Sequence, residues 1–259
     1  MRERLSFFVK RDSPIHRLNP MTKVVLALSL VLIAFLSPWY STPLVIFLLA
    51  ILPLSFIAKV SREYWSFILK VILPTIAILF IMQALFLPGE SRIIFELLGL
   101  EITELSAQLA FRNVMRIVVM ISSFTILLLS THPSELMSDL TQRGLPGQFA
   151  YVVISSLQII PQMQAKAQTI IAAQRSRGLD TQSSFFRRVS GILPLVGPLV
   201  FGSLVEVEER AIAIEARGFT SRHPKTFLHQ IPDTSTDKLI RWILVGLVLI
   251  TVLLRLWLS

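Results

Sequence analysis

The chain has 259 residues, of which 53% are apolar and only 16% are charged, and it contains no cysteine. A soluble domain of this length cannot bury so much apolar surface, so the composition excludes an ordinary soluble enzyme and favours several membrane spans. The lack of cysteine excludes disulfides and thiolate metal or redox chemistry. In a membrane protein, the net charge of +9 indicates cytoplasmic loops and not nucleic-acid binding.

Apolar runs predict five transmembrane helices. The first two runs are short for a hydrocarbon core of roughly 30 Å, so we expect them to form one tight hairpin. Trp39 and Tyr40 lie between them, as is typical of residues at a membrane interface. Pro74 predicts a kink in the third span. The five predicted spans are residues 24–37, 44–58, 67–87, 109–130 and 239–258.

The distribution of charge predicts the topology. Residues 1–23 carry six Lys or Arg and two acids, and the segment 59–70 is also basic, whereas 38–43 is uncharged and 88–108 is acidic. Lys and Arg accumulate on the cytoplasmic side, so the N-terminus and residues 131–238 are expected in the cytoplasm and the C-terminus outside. Arg112 and Arg116 begin the fourth span, where we expect pairing with Glu101 and Glu104.

Residues 131–238 are too long for a loop and predict one short and two long helices. The short helix covers 133–143, with Ser134 as its cap and Gly144 as its stop. The long helices cover 149–177, with a bend near Pro161, and 185–217. The first half of the second long helix is apolar and rich in helix-breaking residues, which favours a segment lying against the membrane helices over a span. These residues are Gly191, Pro194, Gly197, Pro198 and Gly202. The predicted domains are therefore 1–130, 131–238 and 239–259.

Both long helices end in a small residue followed by Arg and Gly. These tripeptides are Ser176-Arg177-Gly178 and Ala216-Arg217-Gly218. One such tripeptide is typical of an ordinary helix end, where glycine adopts a left-handed conformation and arginine complements the helix dipole. Two at matching positions favour a binding role, because an exposed guanidinium at a helix end suits a carboxylate on another protein.

With these tripeptides, the chain resembles the transmembrane T component of energy-coupling factor (ECF) transporters over nearly its whole length. Four sequence stretches carry the resemblance: SPIHRLNPMTK (13–23), HPSELMSDLTQRGLP (132–146), AAQRSRG (172–178) and EVEERAIAIEARGF (206–219). In that family, two cytoplasmic coupling helices end in Ala-Arg-Gly-like motifs. Here the second motif matches, and the first has Ser176 in place of alanine.

The resemblance implies the energy-coupling subunit of a vitamin- or metal-ion importer. Its partners would be two cytosolic ABC ATPases and a small membrane-embedded substrate-binding subunit, the S component, with no cofactor of its own. Arg177 and Arg217 would dock into the ATPases, with the small residue and glycine of each motif shaping the contact. The apolar stretch that contains Gly191, Pro194, Gly197, Pro198 and Gly202 would contact the S component.

Three other functions stay open on the residues alone. A conventional ABC permease would line the substrate path itself, but two long coupling helices argue against it. An intramembrane enzyme needs convergent catalytic groups, which the spans do not supply, and the sequence lacks the GxxxxGK[ST] motif that holds ATP phosphates. A membrane scaffold without transport is the third alternative. The pair His223 and His229 lacks the spacing and further ligands of a metal site.

Overall fold

A computed structural model of the chain describes residues 11–86, 93–97, 100–178, 185–219, 221 and 231–258. These residues are almost entirely helical, which confirms the predicted all-α class. The chain forms two compact units, one from Met1–Gly144 with Ile231–Ser259 and the other from Leu145–Gln230. The first unit thus extends beyond the predicted boundary at residue 130.

The first half of the chain contains helices broken by two π-helical turns, Phe47–Ile51 and Ile68–Ile72. Each turn is followed two residues later by a proline, Pro53 or Pro74. Because proline lacks an N–H for the regular helical bond, the wider turn absorbs the missing donor and the helix continues. The helices are α1 (Pro14–Arg17), α2 (Pro20–Leu36), α3 (Thr42–Ile46), α4 (Leu52–Ile57), α5 (Ser61–Phe67) and α6 (Leu73–Phe86).

A short antiparallel hairpin of β1 (Ile93–Leu97) and β2 (Leu100–Thr103) follows, where the sequence predicted only an acidic connection. Thr103 then caps the next helix in a reciprocal pair with Ser106. The remaining helices are α7 (Glu104–Ser130), α8 (Pro133–Gln142), α9 (Gly147–Ser176), α10 (Phe185–Ala216) and α11 (Ser235–Leu258).

Three continuous helices in the described part of the chain are long and apolar enough to cross a membrane. They are Ser61–Ala84, Glu104–Ser130 and Ser235–Leu258. The first begins within the segment predicted as a basic loop, so its helix is longer than the predicted span. The first two predicted spans correspond to shorter apolar helices, Pro20–Leu36 and Thr42–Ile57.

The core of the first unit lies where α2 and α7 pack against the helical segment from 42 to 72. Tyr64 is fully buried, and Ile51, Ile72 and Val119 surround the same core. Small buried serines on α7, such as Ser122, permit close approach of neighbouring helices. The helix α11 packs against α2 but leaves most of its apolar side chains exposed, as expected for a helix that faces lipid.

A buried polar network joins α2, α8 and α11 within this unit. Asn19 caps α2 by accepting from the Met21 N–H, and its amide nitrogen donates to Asp139 of α8. Its backbone N–H donates to Asp237 of α11. These bonds hold α8 in the first unit, which is why the unit ends after Gly144. Because each buried polar atom named here has a partner, the burial is stabilised and not penalised.

Ion pairs extend this network to its exposed side. Arg143 bonds Asp139 and Asp233, and Arg241 holds Asp233 through two contacts of 2.8 Å. The hydrogen bond from Arg241, followed by the positive charges of both arginines, lowers the pKa of the Asp233 carboxyl below its ordinary value.

Two local expectations were wrong. The cap of α8 is His132, two residues before the predicted Ser134; its Nδ1 accepts from the Ser134 N–H at 3.2 Å, and Pro133 occupies the first helical position. Arg116 does not pair with Glu104 but donates to the carbonyl oxygens of Ala34 and Ser37 at the end of α2, and the side chain of Glu101 lies outside the described part of the structure.

Candidate coupling site

The second unit contains α9 and α10, and the predicted binding residues lie at their C-terminal ends. α9 continues through Pro161 and ends at Ser176. The N–H groups of Arg177 and Gly178 then donate to the carbonyls of Gln174 and Arg175, at 3.1 and 3.0 Å. Gly178 has a φ of +90°, a conformation that glycine adopts without steric cost. The turn therefore ends the helix and leaves Arg177 at its tip.

α10 ends in a turn of the same kind. The Gly218 N–H donates to Glu215 at 2.8 Å, and the Phe219 N–H reaches back to Ile214 at 3.0 Å. With Gly218 at a φ of +67°, this pattern of two bonds is a Schellman motif. Ala216 is the last helical residue, so Arg217 occupies the same place as Arg177 in the first helix end.

Both arginine side chains are exposed. Among the residues that the structure describes, neither Arg177 nor Arg217 forms an ion pair or a side-chain hydrogen bond. The Ser176 hydroxyl donates to the carbonyl of Ala172 in its own helix at 3.2 Å. Each helix end therefore presents one planar cation whose five N–H donors are available to a carboxylate.

Contacts between α9 and α10 show that the two helices pack antiparallel. Near the start of α9, the ring of Tyr151 lies 5.2 Å from that of Phe219, just beyond the end of α10. Further along α9, Lys166 pairs with Glu206 at 2.7 Å, well before the end of α10. Residues later in α9 therefore lie beside residues earlier in α10.

The antiparallel arrangement places the two arginines at opposite ends of the helix pair. Arg217 is two residues before Phe219 and hence near Tyr151. Arg177 is 26 residues after Tyr151, just beyond the end of α9. At 1.5 Å per residue, this distance along the helix is about 40 Å. The structure thus separates two helix ends that the sequence had identified as equivalent.

Gly202, one of the five predicted S-component contacts, lies in the contact between α9 and α10. A Cβ atom at this position would lie 2.8 Å from the Lys166 ammonium nitrogen. The glycine therefore makes room for Lys166 to reach Glu206. The cation that pairs with Glu206 therefore comes from the neighbouring helix.

The other four predicted contact residues also lie in α10. A Cβ at Gly197 would have no atom within 4 Å, and Pro198 is exposed. Apolar residues next to them, including Phe201 and Leu204, are also exposed. The surroundings of Gly191 and Pro194 lie outside the described part of the structure, as do residues His223 and His229.

Sequence reasoning missed Tyr151 and Phe219 as determinants of this site. A hydrophobic residue directly after the capping glycine is a known feature of Schellman motifs, so Phe219 carried a local signal. Tyr151 carried none, because its partner is 68 residues away in the chain.

The mainly helical fold, with three described helices able to span a bilayer, defines this chain as an integral membrane protein. The sequence profile of the CbiQ family, described as a cobalt transport protein, matches residues 11–227. An "Energy-coupling factor transporter transmembrane protein EcfT" from Leuconostoc gelidum is 30% identical over 97% of this chain and 96% of its own length. The EcfT proteins of Lactococcus lactis (29%, covering 96% of each chain) and Bacillus subtilis (30%, covering 89% of each) are also similar. The chain belongs to this family of transmembrane transport proteins.

Proposed function

We propose that this chain is the energy-coupling subunit of an ECF-type importer and binds two cytosolic ABC ATPases through Arg177 and Arg217. The observation that carries the proposal is the pair of equivalent, exposed arginine turns at opposite ends of an antiparallel helix pair. Two binding points separated by about 40 Å of helix suit two separate partner subunits better than one. The names of the EcfT relatives support the same role.

Each arginine would meet an acidic groove on one ATPase. A guanidinium paired with a carboxylate forms short, charge-assisted hydrogen bonds, and the left-handed glycine after it turns the chain away from the partner. Ser176 and Ala216 leave space beside each arginine because their side chains are small. In this proposal the chain itself is not catalytic, and hydrolysis takes place on the ATPases.

ATP-driven closure of the ATPases would move the helix ends, and α9 and α10 would transmit this motion. The Lys166–Glu206 pair and the close approach at Gly202 tie the helices together at a point between their ends. Because of these contacts, displacement of the end of one helix would also move the other helix. The exposed apolar surface near Gly197 and Pro198, with Gly191 and Pro194 preceding it, would contact the S component and reorient it in the bilayer.

The cargo follows from the S component and is a vitamin or a metal ion in this proposal. The description of the matching family favours cobalt among these. The topology belongs to the same proposal: the N-terminus and residues 131–238 lie in the cytoplasm and the C-terminus outside. A reporter enzyme fused after Ser259 is expected to be active outside, and cytoplasmic activity would contradict the topology without affecting the coupling residues.

The decisive experiment is purification of the tagged chain with its partners in mild detergent, followed by mass identification of the bound proteins. Two ATPase subunits and one small apolar membrane protein are expected. A second permease half together with an external binding protein would instead indicate a conventional ABC importer.

Charge reversal tests the role of the arginines. Arg177→Glu and Arg217→Glu should each weaken ATPase binding about tenfold or more, since a reversed charge-assisted contact costs roughly 1.5–3 kcal/mol. The double variant should lose uptake while still inserting in the membrane. Arg210→Glu, on α10 two turns before its end, is the matched control. If the double variant assembles and transports like this control, the coupling assignment is wrong.

A further inference from the structure

Three arginines from two helices line one cleft at an end of the first unit. Arg112 and Arg116 lie on consecutive turns of α7, and Arg255 lies near the end of α11. The cleft has a volume of about 260 Å³ and is completed by Ser37, Pro38 and Leu258. None of the described residues that line it is acidic, so these side chains concentrate positive charge in the cleft.

The arginines differ in how their donors are used. Arg116 donates from Nε to the Ala34 carbonyl at 3.0 Å and from one terminal nitrogen to the Ser37 carbonyl at 3.4 Å. These carbonyls belong to the C-terminal end of α2, where free acceptors are expected, so Arg116 also has a structural role. Its other donors have no partner among the described residues.

Arg112 and Arg255 have no such structural bonds. Arg112 lies 4.7 Å from the centre of the Tyr40 ring, and its Nε is buried without a hydrogen-bond partner in the described part of the chain. Arg255 is exposed and forms no ion pair with a described residue. A buried guanidinium donor without an acceptor is costly, and an anion in the cleft would remove that cost.

The surroundings of the cleft indicate which anion binds there. Trp39, next to the lining residue Pro38, is 58% exposed, and Trp257, next to Leu258, is 83% exposed. Tryptophan and tyrosine concentrate at the level of the lipid headgroups, so the aromatic residues place the cleft at a membrane interface. At this level, clustered guanidinium groups can form charge-assisted hydrogen bonds with a lipid phosphate.

We propose that this cleft binds the phosphate group of an anionic phospholipid. The headgroup phosphate accepts from Arg112, Arg116 and Arg255, while the acyl chains lie along the exposed apolar side chains of α11. A bound lipid would hold α7 and α11 together at the end of α2. Free inorganic phosphate has the same charge-assisted chemistry but lacks the acyl chains, and the experiment separates the two.

The test uses the full chain in detergent and native mass spectrometry with added phosphatidylglycerol. The variant carries Arg112→Gln and Arg255→Gln, and Arg116 is kept because its bonds hold the end of α2. Arg62→Gln, an exposed arginine on α5, is the matched control. Thermal unfolding of each chain checks that the fold is retained. If the double variant unfolds, Arg255→Gln alone is used, since that side chain has no bond in the described structure.

We expect the apparent Kd for phosphatidylglycerol to rise at least about tenfold in the double variant and to stay unchanged in the control. Millimolar inorganic phosphate should not displace the lipid. Equal lipid binding by all three chains would overturn the proposal, and is the result expected if a carboxylate of the chain itself fills the cleft. Arginine-dependent stabilisation by inorganic phosphate, with lipid binding unaffected, would overturn the lipid assignment in favour of a free anion.

Discussion

Alanine in place of Gly178 or Gly218 should destabilise the turn that ends α9 or α10, respectively. The effect should be larger at Gly178 than at Gly218. Both glycines have a positive φ, +90° and +67° respectively. Among the described residues, no atom obstructs a Cβ at either position: the nearest atom lies 4.0 Å from a Cβ at Gly218, and none lies within 4 Å of a Cβ at Gly178. The effect of alanine is therefore backbone strain alone.

The size of the effect follows from the two turns. A side chain in the left-handed region costs roughly 1–2 kcal/mol, and the cost rises away from the favoured φ near +57°. At Gly218, two hydrogen bonds of about 1 kcal/mol each and the ring contact of Phe219, worth roughly 0.5–1.5 kcal/mol, oppose opening. At Gly178, two hydrogen bonds also close the turn, from the N–H groups of Arg177 and Gly178, but no aromatic contact accompanies them among the described residues. The turn after α10 should therefore survive the strain better.

Hydrogen exchange of the last-turn amides measures this opening directly. Gly218→Ala should speed exchange at Phe219 about fivefold, and Gly178→Ala should speed exchange at the turn after α9 about tenfold to thirtyfold. Asparagine tolerates the left-handed conformation, so Gly218→Asn should restore most of the protection. Gly246→Ala is the control, because that glycine is helical and unobstructed with an ordinary φ.

ATPase binding by the same variants connects the turn to function. If Arg177 and Arg217 bind through rigid turns, loss of protection and loss of ATPase binding should follow the same order. Wild-type exchange in both alanine variants would show that the glycine conformations do not hold the turns. Faster exchange with full ATPase binding would show that the arginines bind without a fixed turn.

Two further predictions concern the first unit. Lys23 is 4% exposed, and its ammonium group donates to the Ser130 carbonyl at 2.9 Å. Because Lys23→Met removes this bond, it should lower the free energy of unfolding by about 2–4 kcal/mol. Lys70→Met, at an exposed position, is the control in thermal unfolding. Asp233 has a lowered pKa because Arg241 bonds it, so its stabilisation is present above the ordinary pKa near 3.9 and is lost as pH falls through the lower folded value. The melting temperature of the wild type should therefore fall more steeply in acid than that of Asp233→Asn, and parallel curves would contradict the ion pair.

The two long helices α9 and α10 could be predicted because their signals are local. Their glycine stops and the arginines before them are set by residues within one or two helical turns, and the structure has the helix ends at Ser176 and Ala216. The apolar runs likewise identified the membrane helices, though not their lengths. The π-helical turns before Pro53 and Pro74, which the apolar pattern did not predict, accommodate these prolines within continuing helices.

The sequence by itself determined the class of this protein, since apolar content and the spacing of helix-ending glycines depend on composition and on neighbours in the chain. Tertiary structure alone decided that Arg177 and Arg217 lie at opposite ends of a helix pair, which follows from the contact between Tyr151 and Phe219. It also placed Arg255 in one cleft with Arg112 and Arg116, which lie more than a hundred residues earlier in the chain. Such contacts depend on how helices pack, and packing depends on complementary surfaces that no local periodicity encodes.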